Sequence, residues 1–170
     1  VRRLERLVQA LPPGPETRVW AGVGISGMGA CSDRLIVAAK QVAGRHGVAM
    51  EMHQSFGDGD AAMGGDWTGE FCNSWRTCGD PTPGFGSALS YVDCAEQWAD
   101  GAASGPGRWN NLAAVEIGNG APGAGAMTPA QERAVLSLYA LVRTPLMIGA
   151  DVTTLDGDSL QVYLNTELID

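Results

Sequence analysis

Lysine is nearly missing from this chain. Lys40 is the only one in 170 residues, and 11 Lys and Arg together face 19 Asp and Glu, for a net charge of −8. A nucleic-acid groove works by clustered cations that displace phosphate counterions, so this balance excludes such a partner. Histidine is just as scarce, with His46 and His53 alone. The four cysteines (Cys31, Cys72, Cys78 and Cys94) show no C-x-x-C spacing, which excludes the common zinc frameworks. Disulfides stay open, and spacing does not choose among the three pairings. No apolar run approaches the roughly 18 residues of a membrane span, so no membrane partner is expected. Val1-Arg2-Arg3-Leu4 is charged and amphipathic with no apolar signal region behind it, and an initiator Met is absent, which reads as a fragment.

What is present suits a folded domain. Hydrophobic residues at 45% and charged residues at 18% are globular values, and the length allows a real core in one domain. Short β-rich runs alternate with helical ones. Strands are expected over 19–25, 48–54, 73–78, 113–117 and 146–148. Helices are expected from a Ser32 or Asp33 cap to about Gly44, from Ser87 to Ala99, and from about Asp158 to Asn165. Another starts at Thr128-Pro129-Ala130-Gln131 with a capping box, turns Val135, Leu138 and Val142 to one side, and is stopped by Pro145. A Gly-rich loop, Gly57 to Gly65, and a short helix or turn to Cys72 fill the middle.

Repeated βα units point to a parallel α/β sheet with right-handed crossovers. About five units are countable, where a full (β/α)8 TIM barrel needs eight and usually about 250 residues. The expectation is a single domain over 1–170 that is a partial TIM barrel. Three completions stay open: strands outside this chain, self-association of two copies, or an open five-stranded layer. Barrel chemistry sits at the C-terminal ends of strands. His53, Gln54, Asp80, Asn111, Asn119 and Asp151 all fall at or just beyond such ends.

One stretch carries more than pattern: Cys72-Asn73-Ser74-Trp75-Arg76-Thr77-Cys78-Gly79-Asp80. An Arg can hold a polyol hydroxyl with its fork of donors, and an Asp nearby can move a proton. Alone, such an Arg-x-x-x-Asp is usually a surface pair worth little. Two further blocks follow in order. They are Ser104-Gly105-Pro106-Gly107-Arg108-Trp109-Asn110 into Val115-Glu116-Ile117-Gly118-Asn119-Gly120, and Met127-Thr128 through Pro145-Leu146-Met147-Ile148-Gly149-Ala150-Asp151.

Together with the tail from Leu160 to Ile169, these resemble glycoside hydrolase family 27, the α-galactosidases or melibiases, over about residues 70–170. The resemblance implies a retaining glycosidase acting on terminal α-galactosides, without a cofactor. Asp80 would be the general acid/base. Arg76 would be a substrate ligand; Trp75 and Trp109 offer apolar faces to a sugar ring, and Gln54 and Asn111, by their place at strand ends, are further candidates for sugar contact. It implies a carbohydrate substrate, and an extracellular setting for some members. Cys72 falls where some members carry a disulfide cysteine, but His53 occupies the partner's position.

Residues 1–62 do not resemble that family. Gly29-Ala30-Cys31-Ser32-Asp33 and Arg45-His46-Gly47-Val48 through Met52-His53 look instead like part of the metal-dependent amidohydrolase deaminases. His53 would then be a metal ligand, but no His-x-His pair or late Asp completes such a site, so no metal is expected. Either two barrel pieces are spliced near residue 62, or 1–62 is a diverged family 27 segment.

The resemblance also has gaps. A retaining glycosidase needs a second carboxylate about 5–5.5 Å from the first, and the family's nucleophile strand has no counterpart. Asp58, Asp60 and Asp66 lie in the Gly-rich loop, which suits solvated carboxylates better than a positioned nucleophile. The family's Trp-Asn-Asp-Pro-Asp-Met becomes Trp109-Asn110-Asn111-Leu112-Ala113-Ala114, losing a sugar-contacting carboxylate at Ala113. An impaired hydrolase is therefore expected. The alternatives are a non-catalytic barrel fragment that binds carbohydrate or a partner chain and, more weakly, an amidohydrolase.

Overall fold

A computed structural model describes residues 1–12, 14, 16–27, 30–54, 68–96, 105–120 and 125–169. Its strands are β1 (Val23–Gly27), β2 (Met50–Gln54), β3 (Ser74–Arg76) and β4 (Trp109–Asn111). They follow the sheet order β1-β2-β3-β4, with the β1–β2 and β2–β3 pairs parallel. The helices are α1 (Arg2–Gln9), α2 (Asp33–His46), α3 (Thr68–Phe71), α4 (Phe85–Glu96), α5 (Pro129–Leu141), α6 (Gly157–Tyr163) and α7 (Thr166–Ile169). None of the described helices is long and apolar enough to cross a membrane. Two compact units divide the chain, one of residues 1–76 with 101–109 and one of 77–100 with 110–170.

In the first unit, alternation along the strands decides which side chains are covered. Val23, Ile25, Met50, Met52 and Trp75 are buried together with Ile36, Ala39, Val42 and Ala43 of α2. Register pairs Val23 with Met50, Ile25 with Met52 and Met52 with Trp75. The opposite face carries Gly24, Glu51 and Ser74, again in register. Ser32 caps α2 by accepting from the Leu35 N–H, and Gly47 ends the helix at φ +63°. Against the α2 C-terminus, Arg45 donates to Glu5 Oε1 at 2.8 Å, and His46 lies 3.5 Å from the same oxygen. The Arg45 hydrogen bond, then that of His46, holds the Glu5 carboxyl below its usual range.

The first strand begins later than expected. Val19 and Trp20 are exposed, and their backbone is diverted: Thr17 Oγ1 donates to the Val19 carbonyl and the Ala21 N–H to the Pro12 carbonyl. Asn73 also has a structural role that its motif did not suggest. Its side chain accepts from the Met50 N–H and donates to the Gly107 carbonyl, both at 2.9 Å. Its own carbonyl accepts from the Trp109 N–H at 2.8 Å. One Asn thereby ties β2, β3 and the entry to β4.

In the second unit, Leu112, Val115, Ile117, Val135, Leu136, Tyr139, Val162 and Tyr163 form the buried core. The expected strand over 113–117 is not continuous. Ala113 takes φ +77°, which ends extended chain after β4, and only Val115 regains pairing, as a parallel bridge to Ile148. That bridge is also all that remains of the strand expected at 146–148. The capping box at α5 forms as read, with Thr128 and Gln131 exchanging side-chain and backbone bonds. Its buried face is Glu132, Val135, Leu136 and Tyr139 rather than the Val135, Leu138 and Val142 face. The helix ends at Leu141, ahead of Arg143 at φ +57° and Pro145. Cys78 and Cys94 are disulfide-bonded, while Cys31 and Cys72 are free thiols. Burial of Cys72 pushes its thiol up to about 11.

Candidate active site

The strand exits of the first unit carry His53, Gln54 and Arg76. His53 is exposed at the penultimate position of β2. Among the described residues no three His, Cys, Asp or Glu side chains gather as a metal site. Gln54 ends β2, and its side chain lies outside the described part. Arg76 ends β3 and is 6% exposed. Trp75, one residue earlier, points the opposite way by strand alternation and is 0% exposed in the helix-covered core. A ring enclosed in this way offers no face to a sugar. Trp109 is half-buried at the start of β4. Asp58, Asp60 and Asp66 lie outside the described residues. A depression of about 200 Å³ is lined by residues 22–24, 49–51 and 73–74. These are the entry ends of β1, β2 and β3, opposite to the end where a barrel places its chemistry.

In the second unit, Asp80 is exposed in the segment that follows β3. That segment is fastened on both sides. The Thr77 N–H donates to the Asn111 carbonyl at 3.1 Å, Cys78 is bonded to Cys94 of α4, and the Thr82 N–H donates to Ser87 Oγ at 3.1 Å. An exposed carboxyl on a fixed backbone can give and take a proton from a ligand or from water. Asn111 is 0% exposed, and its Oδ1 accepts from the Ala113 N–H at 2.8 Å, a local turn that holds the strained Ala113.

Beyond the Val115–Ile148 bridge, Asn119 Nδ2 donates to Glu116 Oε2 and to the Gly149 carbonyl. Glu116 stands so close over Gly149 that a Cβ there would meet its Oε1 at 2.5 Å. Asp151 binds the Thr153 hydroxyl and N–H, and these bonds hold its carboxyl below the usual range.

One group was missed altogether. Glu132 is buried in α5, accepting from Ser159 Oγ at 2.9 Å and from the Gly118 N–H at 3.2 Å. It had a signal: the i, i+3, i+4, i+7 spacing puts it on one face with Val135, Leu136 and Tyr139. A carboxylate on an apolar stripe needs partners.

The family model described as "Alpha galactosidase A" matches residues 59–170. An α-galactosidase of Oryza sativa is 40% identical over 103 residues, which are 61% of this chain and 23% of that protein. One from Zygotorulaspora mrakii is 32% identical over 123 residues, covering 61% of this chain and 25% of that protein. The chain therefore spans about a quarter of the length of these relatives. Among solved structures, the Saccharomyces cerevisiae α-galactosidase overlays 80% of this chain and 33% of its own, with a TM-score of 0.61 at 24% identity. A GH27 β-L-arabinopyranosidase from Geobacillus stearothermophilus overlays the same shares, 80% and 33%, with a TM-score of 0.63 at 19% identity. These overlays establish the fold: an α/β chain that is part of a TIM barrel.

Proposed function

This chain belongs to the alpha galactosidase A family, and from that membership we propose that it is a glycoside hydrolase segment of the retaining α-galactosidase type. The observation that carries the reading is the family match over residues 59–170, which holds Arg76 and Asp80 in one motif. In this reading Asp80 is the general acid/base. It gives its proton to the glycosidic oxygen as the bond to the anomeric carbon breaks, then takes one back from water. Arg76 binds a sugar hydroxyl, and Gln54 and Trp109 are further sugar contacts; Asn111, expected as another, is 0% exposed and holds the turn at Ala113 instead. Trp75 serves the same site by fixing β3 in the core, which sets where Arg76 emerges.

The chain does the reaction poorly. It supplies no motif-matched nucleophile, and Ala113 has no carboxylate to accept sugar hydroxyls. Hydrogen bonds to a charged group are worth roughly 1.5–3 kcal/mol each, so their loss weakens galactoside binding. The single partial-barrel domain over 1–170, with a change of sequence character near residue 62, belongs to the same proposal. So does self-association through exposed strand edges. Among the described residues β1 pairs only with β2, and Ile148 only with Val115. Light scattering reads that association directly.

The central test is hydrolysis of an aryl α-galactoside by the 170-residue chain and by Asp80→Asn. Turnover is expected well below that of a full-length relative and lost in the variant. Activity that survives Asp80→Asn removes Asp80 from the mechanism, and turnover equal to an intact relative's refutes the impairment.

A further inference from the structure

We propose that the outer side of α1, with the segment that returns past its C-terminal end, docks on an anionic phospholipid surface, independently of any hydrolase activity. The helix is fixed by its inner side. Val8 is buried, Leu4 packs beside it against the first-unit core, and Glu5 is held at 2.8 Å by Arg45 of α2. Arg3 and Leu7, four residues apart, share a different face, and both are exposed, Leu7 at 60%. The Leu11 N–H donates to the Val8 carbonyl, which carries the turn on to a second exposed leucine. Leu4 and Val8 satisfy the core, and a second apolar stripe is left outside.

The returning segment adds to that stripe. The Ala21 N–H donates to the Pro12 carbonyl at 2.7 Å, fastening the residue after Trp20 to the residue after Leu11. Val19 and Trp20, just before this tie, are exposed. Leu7, Leu11, Val19 and Trp20 thus stand in water about one tie, and grouped exposure of this kind marks an interaction surface. Charge says what covers it. Residues 1–20 hold Arg2, Arg3, Arg6 and Arg18, all exposed, against Glu5 and Glu16, in a chain of net charge −8. Among the described residues no salt bridge involves any of the four, and Glu5 already faces Arg45. A second copy paired symmetrically through this patch would bring its own arginines against them. Anionic headgroups answer both features: guanidinium groups meet phosphate, the leucines enter below, and Trp20 takes the headgroup level that indole prefers. A helix of eight residues lies on such a surface, so the lack of a spanning run does not bear on it.

Cosedimentation of the 170-residue chain with vesicles tests the docking. Phosphatidylcholine with about 40% phosphatidylserine should bind it at least about ten-fold more tightly than phosphatidylcholine alone, since each arginine near an anionic surface contributes roughly five-fold in affinity. Raising salt from about 0.05 to about 0.5 M should remove most of that difference. Leu7→Ser with Trp20→Ser should weaken binding at least about five-fold. Arg3→Gln with Arg6→Gln should do so too, and it keeps the apolar patch intact should the serine variant misfold. Equal binding to both vesicles, binding to neither, or a folded double variant that binds like the parent overturns the proposal. So does light scattering that shows a dimer lost in the Leu7→Ser, Trp20→Ser variant, because a second copy would then cover the patch.

Discussion

Removing the Glu132 carboxylate tests the largest structural feature that the motifs did not announce. In Glu132→Ala two donors lose their acceptor, the Gly118 N–H and the Ser159 hydroxyl. Gly118 is exposed and its N–H can turn to water, but Ser159 is 2% exposed and its hydroxyl is stranded. A stranded buried polar group costs about 1–3 kcal/mol. With lost packing, the expected destabilisation is about 2.5 kcal/mol. Ser159→Ala removes one charge-assisted bond and leaves Glu132 its Gly118 partner, so about 2 kcal/mol is expected. The double variant loses the same bond only once and should cost about 2.5 kcal/mol, giving a coupling near 2 kcal/mol. Native-state hydrogen exchange of α5 amides reads this unit alone. At about 1.4 kcal/mol per factor of ten, Glu132→Ala should speed exchange roughly 60-fold. Strict additivity of the two single variants, or a Glu132→Ala cost under about 0.5 kcal/mol, would refute the shared bond.

Gly120→Ala should be poorly tolerated, since Gly120 sits at φ +95° and a Cβ there would lie 2.6 Å from the Gly125 carbonyl carbon and 2.7 Å from the Ala126 nitrogen. Backbone cannot step aside as a side chain can. The cost should exceed the roughly 1–2 kcal/mol of left-handed strain alone, a fall in Tm of at least about 4 °C. Asp156 caps α6, and its bonds to Ser159, backbone first, hold its carboxyl below the usual range. A depressed carboxylate stabilises above the unfolded value of 3.8 and loses that contribution as pH falls through the folded one. Amide shifts of α6 residues should therefore move only below about pH 4, and Asp156→Asn should abolish that transition.

Much of the βα series was legible because its signals are local. Ser32 and Thr128 cap helices with side chains a few residues from their partners, and strand alternation sorts Met50 and Met52 into the core. The failures come from longer range. Ala113–Ile117 looks like a strand by composition, yet a side-chain bond from Asn111 turns the chain at Ala113. The α5 face was misread because a buried Glu132 is acceptable only with Ser159, which lies 27 residues away. Trp75 offers an aromatic face that suits a sugar ring, but alternation along β3 turns it to the side opposite Arg76 and into the core. The disulfide was beyond spacing, because Cys94 meets Cys78 only after α4 has folded back.

Asn111 shows how this chain can depart from its family's motif and still keep the fold. Its Oδ1 accepts from the Ala113 N–H, its carbonyl accepts from Thr77, and it is fully buried. An Asp in the same place could make the same turn bond. It would also put an ionised carboxylate at a position without water, which costs several kcal/mol unless paired. The amide keeps the acceptor and avoids the charge. That choice favours stability, because the turn that ends β4 and the tie to the Asp80 segment both survive. Asn111→Asp should therefore destabilise the chain by about 1–3 kcal/mol and leave galactose binding unchanged, because the side chain is closed to solvent. Chemical denaturation and calorimetric titration with galactose measure the two halves separately. A variant that is equally stable would show that the buried amide is no structural compromise, and one that binds galactose more tightly would put position 111 in contact with the sugar.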